Sequence, residues 1–119
     1  MSSEKSGYDP RRSTTDRSTL GAFLQRPLTG SFEADKIPSV GQETMKLLKA
    51  NGVTSTYALI GKFMSFKEED VGSVEHMDRF WYWLDSIGTP ARHRSCVVEA
   101  LAERMNMHFP GLYEADRYM

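Results

Sequence analysis

The chain holds a single cysteine, Cys96, so no disulfide can form within it and the cysteine-stapled folds of small secreted proteins are excluded. Long apolar runs are missing too, and nothing approaches the roughly 18–20 residues that span a bilayer. Neither sign of charge dominates. Lys and Arg number 15 against 16 for Asp and Glu, a net charge of −1, which removes any whole-surface attraction to nucleic acid or acidic lipid. The opening residues, Met1 to Gly7, are polar and lack the apolar core of a secretory signal. The expectation is an intracellular, reducing compartment, cytoplasm or cytoskeleton ahead of nucleus, with no membrane partner. Glycine-rich phosphate loops, paired-cysteine metal spacings and alternating strand patterns are all absent.

What is present suffices for one globular domain: 39% hydrophobic and 26% charged residues over 119 positions. The first thirty residues differ from the rest. They are rich in Ser and Thr, carry Arg11, Arg12 and Arg17, and hold only a short apolar knot from Leu20 to Leu24. Such a stretch buries too little surface to order itself, so residues 1–30 read as an extended arm, either a disordered leader or a segment that orders on a partner. From Ile37 onward the periodicity is helical. Met45 and Leu48 share a face, and Asn51-Gly52 supplies a left-handed stop. Thr54 or Ser55 caps a segment in which Tyr57, Ile60, Gly61 and Met64 recur at helical spacing. A third stretch aligns Met77, Phe80, Trp81, Leu84 and Ile87 and closes at Gly88. Thr89-Pro90 then reads as a capping hydroxyl and first-turn proline, opening a helix with Val97, Ala100, Leu101 and Met105 on one face. The fold class is all-α, with a domain over residues 31–109 and an aromatic tail over 110–119.

Ile37-Pro38-Ser39-Val40-Gly41-Gln42 followed by a helix to Asn51 has the shape of a helix-hairpin-helix. In that motif a tight turn exposes backbone N–H groups at a helix N-terminus, where they can hold a phosphate oxygen. Gly41 fills the second glycine position of such a hairpin, and Ser39 stands in place of the first. The ungapped run from Pro38 to Lys67 resembles the barrier-to-autointegration factor family, with Gly41, Lys46, Leu48, Gly52, Tyr57, Gly61, Phe63 and Lys67 at matching places. Phe80, Trp83, Leu84 and Asp85, then Gly88, Ala91 and Cys96, continue the resemblance to about residue 106. It implies a small helical domain that dimerises, binds double-stranded DNA without sequence preference and offers a groove to protein partners. The implied phosphate contacts fall on the backbone of Ser39, Val40, Gly41 and Gln42, with Lys46 close by. Glu43 adds a negative charge where a DNA strand would lie. Lys46, Lys49, Lys62 and Lys67 read either as a local basic patch or as solvated lysines.

Other constellations carry less. His93 and Cys96 lie one turn apart, but a nucleophile needs an orienting third group and a cleft, so Cys96 reads as a buried structural thiol. His76, His93 and His108 lack ligand spacing, and Glu68-Glu69-Asp70 lacks the spacing of a calcium loop. No enzyme activity and no cofactor is expected. Trp81 belongs with Phe80 in the core, which leaves Trp83 for packing on the last helix or for a second surface. Phe109 and Tyr113 fold back or anchor in a neighbour. Arg11-Arg12-Ser13 is a short pattern of the kind read by an arginine-directed kinase. Two functions are therefore in view. One is a structural adaptor contacting other proteins through Arg11, Arg12, Arg17, Trp83, Phe109 and Tyr113, with the ciliary doublet microtubule and its acidic tubulin as a setting. The other is a DNA-bridging dimer.

Overall fold

A computed structural model describes residues 7–118. Among them six α-helices form, and no strand: α1 (Arg17–Gln25), α2 (Phe32–Asp35), α3 (Gln42–Ala50), α4 (Thr56–Ser65), α5 (Ser73–Ser86) and α6 (Ala91–Asn106). Single 3-10 turns lie at Pro10–Arg12 and Ala115–Tyr118. The all-α expectation holds, and so do the stops. Gly52 (φ 84°) and Gly88 (φ 97°) take the left-handed conformation that ends α3 and α5, where a side chain would be strained. Ser55 caps α4 by accepting from the Ala58 N–H. Thr89 does not cap α6. Its hydroxyl is buried without a partner, and Pro90 occupies the cap position.

α6 is the axis of the domain. Every residue from Ser95 to Ala102 is buried, so the helix is covered on all sides rather than along one stripe. α5 packs antiparallel on one side, with the Trp81 indole N–H donating to Ser95 Oγ at 3.2 Å and Arg94 paired to Asp85 at 2.8 Å. Phe63 of α4 stacks on His76 and meets Phe80 edge-on, which places the expected apolar face of α5 in the core.

The far side of α6 is covered by the N-terminal segment, and here the expected arm is corrected. Residues 7–30 are not a free arm. Asp16 accepts from the Ser18 and Thr19 N–H groups and starts α1, whose Leu20 and Phe23 are buried. Tyr8 is buried ahead of it. The knot from Leu20 to Leu24 is short, but one capped helix turns it into a single apolar face, and α6 supplies the surface to bury it. The Cα radius of gyration is 13.4 Å, close to the ~13–14 Å of a compact domain this long. The domain therefore begins near Gly7 rather than residue 31, and the first six residues of the expected arm lie outside the described residues.

The tail is also part of the domain. Leu112 and Tyr113 are buried, and the Tyr113 hydroxyl lies 2.6 Å from that of Tyr8. Tyr118 packs edge-on to Tyr8 at 5.3 Å. The first and last of the described residues thus close on each other. Met119 lies outside the described residues.

Candidate functional site

Two surfaces gather the residues that the sequence singles out. The first is the mouth of the turn between α2 and α3. Lys36 (φ 53°) and Ser39 (φ 67°) both adopt left-handed backbone, so the chain reverses within Ile37 to Gly41 and delivers Gly41 as the N-cap of α3. No side chain caps that helix, and its opening N–H groups are left without side-chain acceptors. Ser39, Val40 and Gly41 line a cleft of about 450 Å³ with Ile37, Glu43, Thr44 and His93. His93 comes from the first turn of α6, so two helix N-termini converge here. Gln42 opens α3 and is exposed, as is Lys46 one turn further along. Val40 is buried and presents only its backbone to the turn.

Two of the four lysines weighed as a basic patch are engaged elsewhere. Lys62 lies over the Phe66 and Trp83 rings at 5.4 and 5.1 Å, and Lys67 donates to the carbonyls of Val71 and Glu68, closing the acidic loop.

The second surface is the N-terminal segment where it crosses α6. Asp9 accepts from the Arg11 N–H and holds its guanidinium at 2.8 Å, fixing the 3-10 turn. Ser13 donates to Glu99 Oε1 at 2.6 Å, and Arg17 reaches the same oxygen at 3.0 Å. Glu99 is only 5% exposed, so these two groups compensate a buried carboxylate. One turn along, burial holds the Glu103 carboxyl above its ordinary range, and the nearby Glu99 charge adds to this while Arg17 opposes it. Thr14 brings its N–H to 3.4 Å and its hydroxyl to 3.6 Å from Cys96 Sγ. Burial alone would raise the Cys96 thiol, but hydrogen bonds from Thr15, Ser39 and Thr14 outweigh it and bring it down to about 7. The thiol itself donates to the Arg92 carbonyl at 3.6 Å. Its partners thus come from the N-terminal segment, from Ser39 in the turn before α3 and from its own helix.

The residues expected to meet a partner divide. Arg11, Arg12 and Phe109 are exposed, Arg17 is exposed while paired, and Trp83 is half-buried, stacked on Phe80 at 5.9 Å. Tyr113 is a correction: its ring is buried and its hydroxyl bonded to Tyr8, so it closes the domain rather than reaching a neighbour. Sequence reasoning missed Ser13, Glu99 and Asp35 as organisers. A lone acid inside the run Cys96-Val97-Val98-Glu99-Ala100-Leu101 was the signal for Glu99, since an acid amid apolar neighbours requires a buried partner. Among the described residues no group of three or more His, Cys, Asp or Glu is placed to hold a metal ion, and no helix is long and apolar enough to cross a membrane. No family model, curated protein or solved structure matches the chain.

Proposed function

We propose that the protein is a non-enzymatic structural adaptor that contacts an acidic protein surface through the outer edge of its N-terminal segment. The supporting observation is the placement of Arg11, Arg12 and Arg17. The inner face of the segment is taken up by Tyr8, Leu20 and Phe23, so the arginines point outward; the Arg11 and Arg17 side chains are 73% and 67% exposed. Because the segment is already folded, binding through it costs little ordering entropy. Tubulin in the ciliary doublet microtubule is the acidic partner this reading favours, by charge complementarity.

Co-sedimentation of the full chain with stabilised microtubules tests the reading. The expected result is salt-sensitive binding that falls at least tenfold in the Arg11→Glu/Arg12→Glu variant. Absence of binding, or binding indifferent to that charge reversal, contradicts it.

A second reading, a DNA-bridging domain of the barrier-to-autointegration factor type, draws on one specific observation. Ser39 takes the left-handed backbone expected of a hairpin glycine, and the uncapped start of α3 opens beside it. Glu43 in the lining of the cleft opposes a phosphate there. On this reading Glu43→Gln tightens binding to a random-sequence duplex, measured by fluorescence anisotropy. On the adaptor reading neither form binds the duplex at micromolar concentration.

A further inference from the structure

The stretch between the Pro10–Arg12 turn and α1 combines three features that point to a use beyond either functional reading. Arg11 and Arg12 directly precede Ser13 and are exposed. Ser13 itself is extended (φ −73°, ψ 131°), the backbone form in which peptides enter enzyme grooves. Its hydroxyl donates to the buried Glu99 Oε1 at 2.6 Å and accepts from the Thr15 N–H at 3.3 Å. We propose that Ser13 is a phosphorylation site for an arginine-directed serine/threonine kinase, and that phosphate there lifts the N-terminal segment off α6.

The chemistry is ordinary phosphoryl transfer. Ser13 Oγ attacks the γ-phosphorus of ATP, the new O–P bond forms as the bond to the β-phosphate oxygen breaks, ADP leaves, and the hydroxyl proton passes to the kinase base. The consequence follows from what Ser13 touches. A donor to a buried carboxylate becomes a group with about −1.5 to −2 charges and only acceptor oxygens. Glu99 then faces an anion instead of a hydroxyl, and Glu103 lies one turn further along the same helix. Arg17 is the cation that already reaches Glu99, and its single charge cannot balance both Glu99 and the phosphate. Its exposed side chain follows the phosphate outward, so the released form gains a charge-assisted pair that the docked form cannot make. Thr14 and Thr15 leave with Ser13, and they cover Cys96, which is only 1% exposed. Release of the segment is therefore readable as exposure of the one thiol in the chain. The proposal does not depend on which partner the arginines contact.

The test uses the full chain, Mg-ATP and the catalytic subunit of cAMP-dependent protein kinase, with the phosphate mapped by mass spectrometry. Native labelling of Cys96 by N-ethylmaleimide is then timed. Phosphate on Ser13, its loss in Ser13→Ala, and at least tenfold faster labelling of the phosphorylated chain are expected. The Glu99→Gln variant, which lacks the opposing charge, should show a much smaller acceleration on phosphorylation. Failure to modify Ser13, or labelling at an unchanged rate, overturns the proposal. Hydrogen exchange separates release from unfolding: residues 13–20 should lose protection while Phe80 and Leu84 of α5 keep theirs. Loss of protection throughout the domain would also overturn it.

Discussion

Single side chains set the local strengths and weaknesses of this domain, and Asp35 is the clearest. It is fully buried, yet its carboxylate accepts from the Thr29 N–H at 2.7 Å, the Thr29 hydroxyl at 2.8 Å and the Gly30 N–H at 2.9 Å. Burial pushes its carboxyl up, and Thr56 of α4, followed by the Thr29 and Gly30 donors, pulls it net below the ordinary range. Asp35→Ala strands those donors in the interior and should cost about 2–4 kcal/mol in urea unfolding, with Asp35→Asn markedly milder. His76 has the opposite character. Its Nε2–H donates to the Phe63 carbonyl at 2.9 Å while Nδ1 is buried with no partner. Burial lowers its pKa, the Phe63 bond opposes this, and Lys67 and Arg79 add to the lowering. The folded state therefore resists a proton that the unfolded chain accepts near pH 6.5. Stability from the neutral ring is complete above that pH and is lost progressively as the pH falls towards the folded-state pKa. The partly buried His93, also lowered by burial, adds with the same sign. Replacing the fully buried ring in His76→Met should remove most of the dependence below pH 6.5, read from urea midpoints at stepped pH. At Ser39 the left-handed backbone (φ 67°) costs a non-glycine residue about 1–2 kcal/mol. Ser39→Val should lose a further 1 kcal/mol or so, whereas Ser39→Gly should not lower stability.

At the scale of elements, α6 is the point on which the rest depends, and it shows where the sequence was legible. Its inner face was readable because Val97, Ala100, Leu101 and Met105 keep helical spacing, and α5 was readable for the same reason. The Asn51-Gly52 and Gly88 stops were readable from glycine chemistry alone. The outer face of α6 was not readable. Cys96 was read as buried, but what covers it and Glu99 was hidden, because the cover is a segment more than eighty residues earlier. α1 was missed for the reciprocal reason. Nine residues with two buried anchors are too short to be stable alone, so composition favoured an arm, and tertiary burial decided otherwise. The hairpin between α2 and α3 was anticipated as a turn, but Ser39 at positive φ reverses the usual expectation that glycine must stand there. The same logic makes a prediction about α1. Phe23→Ala should cost about 3–5 kcal/mol, the penalty of a core aromatic, although it lies in a segment whose composition suggests disorder. Thermal unfolding of the variant checks this.

Across the whole molecule, the first and last of the described residues meet. Tyr8 and Tyr113 share a 2.6 Å hydroxyl contact, Tyr118 packs against both rings, and the Tyr8 N–H donates to Asp78 of α5 at 2.9 Å. Burial raises the Tyr113 hydroxyl, its bond to Tyr8 opposes this, and nearby carboxylates reinforce the rise to about 12. The latch therefore stays protonated and intact at neutral pH. This closure sets the outward face of the N-terminal segment, on which both the proposed adaptor surface and the proposed Ser13 switch rest. The most direct measurement is native-state hydrogen exchange resolved along the chain. The account predicts that Leu20 and Phe23 of α1 exchange slowly, with protection comparable to that of Val97 and Leu101 of α6. Exchange of residues 7–26 within seconds, beside a fully protected α6, would mean that the segment is an arm after all and would contradict the account.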